Sequence, residues 1–247
     1  MAGHSKWKNI RIRKGKQDAI RGKIFTKISR EIIVAARAGG GDPSGNSRLR
    51  VAIEKARENS VPAENIKRSI QRGTGEIEGA AFEEVRYEGT GPGGAAIILE
   101  CYTENKNRTV ADIRHAFTKA GGRLGENGSV AWQFKRLGQI TLDLNGLDMD
   151  ELTLAAIDGG AEDVESDEED AIVYTAVEAL HECNDALQKA GFKTKEVTLT
   201  YKPNSLATIS AEDAPKLIRL LEALEDLDDV NETYLNIDIT EEMMGED

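Results

Sequence analysis

The chain has 247 residues, of which 39% are hydrophobic and 31% are charged, so its composition fits a folded protein and not a disordered one. It contains no apolar run of about 18 residues, so the sequence predicts no transmembrane helix. No apolar stretch follows its basic first residues, so it predicts no secretory signal. We therefore expect a cytoplasmic protein without a membrane partner.

The net charge of −12 hides two oppositely charged parts of the chain. Residues 1–75 hold 18 basic and six acidic residues, a charge of +12, so residues 76–247 carry −24. A basic segment attracts phosphate backbones by releasing condensed counterions, and an acidic remainder repels them. The sequence thus predicts that nucleic acid binds at the basic end. The alternative is an ordinary solvated helix surface.

Three helices are predicted in the basic part. Isoleucines at four-residue spacing indicate a helix over residues 16–37, and basic residues that recur every seven positions form a positive stripe along one flank of it. Further helices are predicted at 46–58 and from Pro62, a favoured first helical position, to Gly73. These helices indicate a small bundle, in which we assign no recognition helix.

The predicted nucleic-acid contacts are the basic residues of this bundle and of an extended arm at residues 1–15. The arm surrounds Trp7 with cations, and the indole either stacks on a base or packs onto the helices. The predicted contacts are Lys6, Trp7, Lys8, Arg11, Arg13, Lys14, Lys16, Lys23, Lys27, Arg30, Arg37, Lys67, Arg68 and Arg72.

After residue 80 the pattern changes to alternating strands and helices. Strands are predicted at 82–87, 95–103 and 129–134, with a helix at 107–120. The glycine-rich loop between the first two strands lacks the GK[ST] of a nucleotide-binding loop, so its glycines indicate a tight or closely packed turn. A second candidate contact surface combines this loop with the start of the helix: Gly91, Gly93, Gly94, Asn107 and Arg108.

From residue 139 a complete βαββαβ pattern is predicted, with strands at 139–143, 161–165, 171–176 and 195–201 and helices at 149–158 and 178–190; a helix at 212–226 and a strand at 230–238 follow. The last two elements have no partners unless they complete the preceding domain. The predicted fold is therefore α+β and multidomain, with two ferredoxin-like α/β domains after the three-helix bundle. The predicted domains are the arm and bundle at 1–80, a discontinuous domain at 81–136 and 206–240, and an inserted domain at 137–205.

No residue pattern indicates catalysis, a metal or a cofactor. Cys101 and Cys183 lack metal-ligand spacing and are interpreted as small buried apolar residues. The acidic run at 162–170 lacks the spacing of a calcium loop and is predicted to be a solvated hairpin tip. We therefore predict neither catalytic residues nor a metal or cofactor site.

Several runs together resemble the YebC/PmpR family, which also includes a mitochondrial translational activator. They are MAGHSKW at 1–7, GKIFTK at 22–27, GGGDP at 39–43, YEG at 87–89, GPGG at 91–94, NRTVA at 107–111 and GSVA at 128–131. The resemblance implies a helical domain followed by two α/β domains around a cleft. It also implies DNA-binding regulators of transcription, while some members act on translation by binding the ribosome or RNA and relieving stalls at proline-rich stretches.

The favoured hypothesis is a monomeric, non-enzymatic, DNA-binding regulator of transcription. The alternative is a ribosome- or RNA-associated translation factor that relieves stalling at proline-rich stretches. A third hypothesis, an enzyme that uses the cleft between domains, has no paired catalytic groups to support it.

Overall fold

The computed structural model describes residues 17–79, 81–166, 169–240 and 243, which form a mixed α+β protein with seven helices and two four-stranded sheets. The helices are α1 Gln17–Gly39, α2 Ser47–Glu58, α3 Ala63–Thr74, α4 Lys106–Lys119, α5 Met149–Asp158, α6 Leu180–Lys189 and α7 Ala214–Glu225. The strands are β1 Glu83–Thr90, β2 Ala96–Thr103, β3 Arg123–Leu124, β4 Phe134–Asp143, β5 Ala161–Ser166, β6 Asp170–Thr175, β7 Thr194–Pro203 and β8 Val230–Leu235. The predicted α+β class is confirmed.

Contacts divide the chain into two compact units. The small unit is Phe134–Asn204, and the large unit comprises the described residues before and after it in sequence. The bundle and the first sheet both belong to the large unit, so the division into three domains stays a prediction. Every helix in the described part of the chain is too short or too polar to span a bilayer.

The large unit begins with the predicted helical bundle. Its core is aliphatic, with Ile28, Ile32 and Leu49 buried between the helices. The side chain of Asn46 caps α2 by accepting a hydrogen bond from the backbone N–H of Leu49 at 3.0 Å. The predicted end of the third helix at Gly73 is wrong, because α3 continues to Thr74 and ends at Gly75, whose φ of 82° suits glycine.

Replacing Gly73 or Gly22 with alanine is expected to change the free energy of unfolding in opposite directions. A Cβ at Gly73 would lie 2.5 Å from the carbonyl oxygen of Ile33 on α1, so Gly73→Ala should lower the free energy of unfolding by about 1–3 kcal/mol. No described atom lies within 4 Å of a Cβ at Gly22, so Gly22→Ala should raise it by about 0.5–1 kcal/mol. Urea unfolding measures both, and shifts of the same sign would contradict the close contact between α1 and α3.

The sheet of the large unit has the strand order β3-β1-β2-β8, with every pair antiparallel. Helices α4 and α7 cover one face, where their side chains form the largest core of the unit with those of β2 and β8. Its members include Ile97, Leu99, Ile113, Phe117, Leu217, Leu221 and Leu235.

The strand predicted at 129–134 is wrong. Residues Ala131–Gln133 form a 3-10 turn, and Phe134 begins β4 of the small unit. The third strand of this sheet is instead β3, whose two residues are too few to show an alternating pattern. In sequence order the large-unit sheet is therefore built as ββαβαβ, which differs from the ferredoxin-like order predicted for it.

The small unit has the predicted βαββαβ order, with strand order β5-β6-β4-β7. Both of its helices pack on the sheet around Ile140, Leu142, Val173 and Leu187. α5 has the predicted bounds, and the side chain of Asp148 caps it by accepting from the backbone N–H of Asp150 at 2.9 Å.

The acidic run of the small unit is paired with lysines. It lies along β5 and the start of β6, so it extends well beyond the predicted hairpin tip. The ion pairs are Glu162–Lys135 at 2.6 Å, Asp163–Lys202 at 2.7 Å, Glu165–Lys202 at 2.8 Å and Asp170–Lys195 at 2.8 Å. Lysines of β4 and β7 thus compensate part of the negative charge of the hairpin.

The two cysteines are free thiols buried in different cores, as predicted. Burial raises the pKa of both the Cys101 and the Cys183 thiol above the ordinary cysteine value. Both side chains therefore pack as small apolar groups.

Candidate nucleic-acid interface

Half of the fourteen predicted nucleic-acid contacts lie outside the described residues. They are Lys6, Trp7, Lys8, Arg11, Arg13, Lys14 and Lys16. The other seven lie on α1 and α3. They fall into two groups that differ in what the cations contact.

The first group is the stripe of cations on α1, which contacts the segment 225–229 at the end of α7. Its members Lys23, Lys27 and Arg30 stand one and two helical turns apart, on one flank of the helix. Lys23 Nζ donates to Asp226 Oδ1 at 2.9 Å, Lys27 Nζ donates to Glu225 O at 2.9 Å, and Arg30 Nη1 donates to Asp228 O and, at 2.9 Å, to Asp229 Oδ1. The carboxyl end of a helix carries partial negative charge, so the stripe joins the bundle to an acidic helix end.

Asp229 is the centre of this contact. Its side chain is only 8% exposed and binds two guanidinium groups, since Arg108 Nη2 on α4 lies 2.9 Å from Oδ2 while Arg30 lies on the other oxygen. The hydroxyls of Thr109 and Thr103 also donate to Oδ2, at 2.7 and 3.2 Å. Burial would raise the pKa of Asp229, but the hydrogen bonds from Thr109 and Arg108 and the charge of Arg30 hold it below its ordinary value.

The second group is exposed to solvent. Lys67, Arg68 and Arg72 are exposed on α3, and none of them makes an ion pair with another described residue. At about 100° per residue the three side chains fall within a sector of roughly 140° on one face of the helix. Arg37 is exposed at the end of α1; the pKa of the Glu83 carboxylate is lowered mainly by its hydrogen bond with Lys106 and by the Lys106 charge, and to a smaller extent by the charge of Arg37.

Two further exposed cations of the bundle escaped the sequence prediction. Arg50 and Arg57 on α2 are exposed and make no ion pair within the described residues. They differ from Arg48 and Lys55 on the same helix, which bind Glu84 at 2.7 Å and Glu31 and Glu232 at 3.0 Å each. Composition alone cannot separate paired from unpaired cations, because the partners lie far away in sequence.

The glycine loop between β1 and β2 packs against α7 and the segment before it. A Cβ at Gly91 would lie 3.0–3.3 Å from Ile97, Leu220 and Leu217, and one at Gly93 would lie 2.7 Å from Ile209. Gly91 is buried, while Gly93 and Gly94 are exposed with positive φ angles of 67° and 80°. The prediction of a tight, closely packed turn is confirmed.

The start of α4 is capped by a side chain, and Asn107 is exposed there. The side chain of Asn105 accepts from the backbone N–H of Arg108 at 3.1 Å. The Arg108 guanidinium is committed to Asp229. Of the five residues in the second candidate surface, the structure leaves Gly93, Gly94, Asn107 and Arg108 accessible, since the Arg108 side chain is 47% exposed beside its contact with Asp229.

A buried carboxylate on β1, unnoticed in the sequence, organises the loop that leads into the turn at 131–133. The Glu88 side chain is fully buried and accepts the backbone N–H groups of Gly128, Val130 and Ala131, each at 2.9 Å. Burial would raise the pKa of Glu88, but the three backbone bonds and the charge of Arg86 hold it below the ordinary value.

Glu88 is expected to make stability depend on pH. Because its folded pKa lies below its unfolded pKa, the stabilisation is fully present above an unfolded value of roughly 4.3 and is lost as the pH falls through the folded pKa. The free energy of unfolding, measured with urea between about pH 6 and 3, should fall less steeply with decreasing pH for Glu88→Gln than for the wild type. Equal pH slopes would contradict this role of Glu88.

Known protein families and individual proteins match this chain over nearly its whole length. A family profile described as "TACO1/YebC protein N-terminal domain" matches residues 5–76, and one described as "TACO1/YebC second and third domain" matches residues 82–237. A "Probable transcriptional regulatory protein" of Dictyoglomus turgidum is 50% identical over 99% of this chain and 98% of its own length. A protein of Aromatoleum aromaticum with the same description is 53% identical over 95% of this chain and 97% of its own length.

The fold also matches a solved structure. The crystal structure of a conserved hypothetical protein from Aquifex aeolicus superposes with a TM-score of 0.85 and 47% sequence identity. The match covers 94% of this chain and 96% of that chain. The family predicted from the sequence motifs is thus confirmed, and the chain belongs to the TACO1/YebC family.

Proposed function

We propose that this protein is a cytoplasmic, nucleic-acid-binding regulator of transcription that holds DNA through its basic N-terminal part. The names of its relatives support a regulatory role, since both proteins described above are called probable transcriptional regulatory proteins. The function requires neither a catalytic group nor a cofactor.

The observation that carries the proposal is the concentration of basic residues in the N-terminal part of the chain, several of which are exposed and make no ion pair with another described residue. Residues 1–16 hold six basic residues and no acidic one. To these the bundle adds the exposed cations Arg37, Arg50, Arg57, Lys67, Arg68 and Arg72. The stripe on α1 contributes to folding instead, because its cations already bind the end of α7.

These contacts would position the protein on a duplex without reading its sequence. Flexible lysine and arginine side chains bind phosphates, whereas sequence is read by contacts to base edges in the grooves. The acidic charge of −24 on residues 76–247 would confine the duplex to the basic end.

Two binding measurements test the proposal. Fluorescence anisotropy with labelled duplex DNA at roughly 150 mM salt should show binding, with similar affinity for duplexes of different sequence because phosphate contacts do not read the bases. Co-sedimentation with ribosomes tests the alternative. Association with ribosomes without measurable affinity for duplex DNA would overturn the transcriptional function in favour of a translation factor.

A further inference from the structure

The most exposed large apolar side chain of the described residues is Trp132, with 73% of its surface accessible. It lies at the centre of the 3-10 turn Ala131–Gln133 in the large unit. Its indole N–H donates to the carbonyl oxygen of Ser129 at 3.2 Å, which fixes the orientation of the ring relative to its own loop. An exposed aromatic ring in a fixed orientation can serve as a stacking surface.

The turn is anchored on both sides of Trp132. On the N-terminal side, the Glu88 carboxylate holds the backbone of Gly128, Val130 and Ala131. On the C-terminal side, Gln133 Oε1 accepts from Asn236 Nδ2 at 3.0 Å, and Asn236 is itself buried against β2. Burying a carboxylate is costly unless it is fully hydrogen-bonded, so a simple surface loop would not require this arrangement.

The segment of sequence that leads into the turn is basic, within an otherwise acidic part of the chain. Residues 106–133 hold five basic and two acidic residues, a charge of +3, although residues 76–247 carry −24 as a whole. Arg86 Nη2 donates to Asn127 Oδ1 in the same loop at 3.0 Å, and Arg123 is exposed just before it. The carboxylate of Glu88, which contacts this loop, is satisfied by internal hydrogen bonds.

We propose that Trp132 stacks on an unstacked base of a single-stranded nucleic acid whose backbone is held by the neighbouring cations. This inference rests on the proposed nucleic-acid binding and adds a second contact, outside the basic N-terminal part. A base in a continuous duplex has both faces covered, so the site selects single-stranded or locally opened segments. RNA and DNA share this chemistry, because every base has a flat π face.

Intrinsic fluorescence provides a direct test, because the chain has only two tryptophans. The Trp7→Phe variant leaves Trp132 as the single emitter. It is titrated with a single-stranded DNA oligonucleotide, an RNA oligonucleotide of the same sequence and the corresponding DNA duplex. We expect single strands of at least one type to quench the emission and the duplex to leave it nearly unchanged.

Affinity measurements on substituted proteins complete the test. Trp132→Ala should weaken single-strand binding roughly tenfold, as expected for the loss of one base–aromatic stack, and should change duplex affinity less than about twofold. Trp132→Phe should retain most of the single-strand affinity. Equal quenching by duplex and single strands, or an unchanged affinity of Trp132→Ala for both oligonucleotides, would overturn the stacking role.

The outcome also separates this inference from the proposed function. If duplex DNA binding persists while Trp132→Ala has no effect on single strands, the proposed function stands and the stacking site is excluded. If neither duplex nor single strands bind, both fail.

Discussion

Replacing Asp229 with alanine should lower the free energy of unfolding by about 3–5 kcal/mol, the largest loss of stability that we expect from a single substitution. The carboxylate is 8% exposed and binds Arg30, whose side chain is 15% exposed, so its removal leaves a nearly buried guanidinium without a counter-charge. The hydroxyls of Thr103 and Thr109 lose an acceptor at the same time. Urea unfolding measures the change.

Asp226→Ala is the matched control for this substitution. Asp226 lies three residues earlier in the same segment and also binds a cation of α1, but its pair with Lys23 is 58% and 44% exposed. Exposed pairs contribute about 0–1 kcal/mol, so the control should remain close to the wild type. Similar losses for the two variants would show that Asp229 is no more important than a surface ion pair.

Neutralising the exposed face of α3 should reduce affinity for duplex DNA about 100-fold at roughly 150 mM salt. The triple variant Lys67→Gln, Arg68→Gln and Arg72→Gln removes three charges that make no ion pair with described residues, so its fold should be unaffected. Each lost phosphate contact lowers the number of released counterions by about one. Fluorescence anisotropy with a labelled duplex measures the affinity.

The control is a triple variant with the same change of charge elsewhere in the chain. Lys189, Lys193 and Arg219 are exposed and lie outside the basic part, and none makes an ion pair within the described residues. Their replacement by glutamine makes the same change of net charge but leaves the α3 face intact, so the affinity should stay within about threefold of the wild type. If both variants lost affinity equally, net charge and not the α3 face would control binding.

The elements with strong periodicity could be predicted closely from the sequence, and those that depend on distant contacts could not. Helix α5 has its predicted bounds because an aspartate cap precedes the first turn and glycine follows the last. Strand β3 was missed because two residues cannot show an alternation. The turn at 131–133 was read as a strand because Val130 and Trp132 suit strands equally well.

The candidate site shows the same limit. The periodicity of α1 placed Lys23, Lys27 and Arg30 on one flank, but it could not show that the segment 225–229, about 200 residues later, lies against that flank. Glu88 alternates with apolar residues on β1 like any solvent-facing strand residue, so its burial depends entirely on the loop that covers it. Partners brought together by the tertiary fold decide which charges remain available for a ligand.

The salt dependence of duplex binding tests the central claim most directly. A variant with Lys6, Lys8, Arg11, Arg13, Lys14 and Lys16 replaced by glutamine loses all six basic residues of the first sixteen positions. The slope of log Kobs against log salt concentration should then be smaller in magnitude than for the wild type by about five, since each phosphate contact contributes roughly 0.9 to that slope. An unchanged slope would contradict the claim that these cations neutralise phosphates.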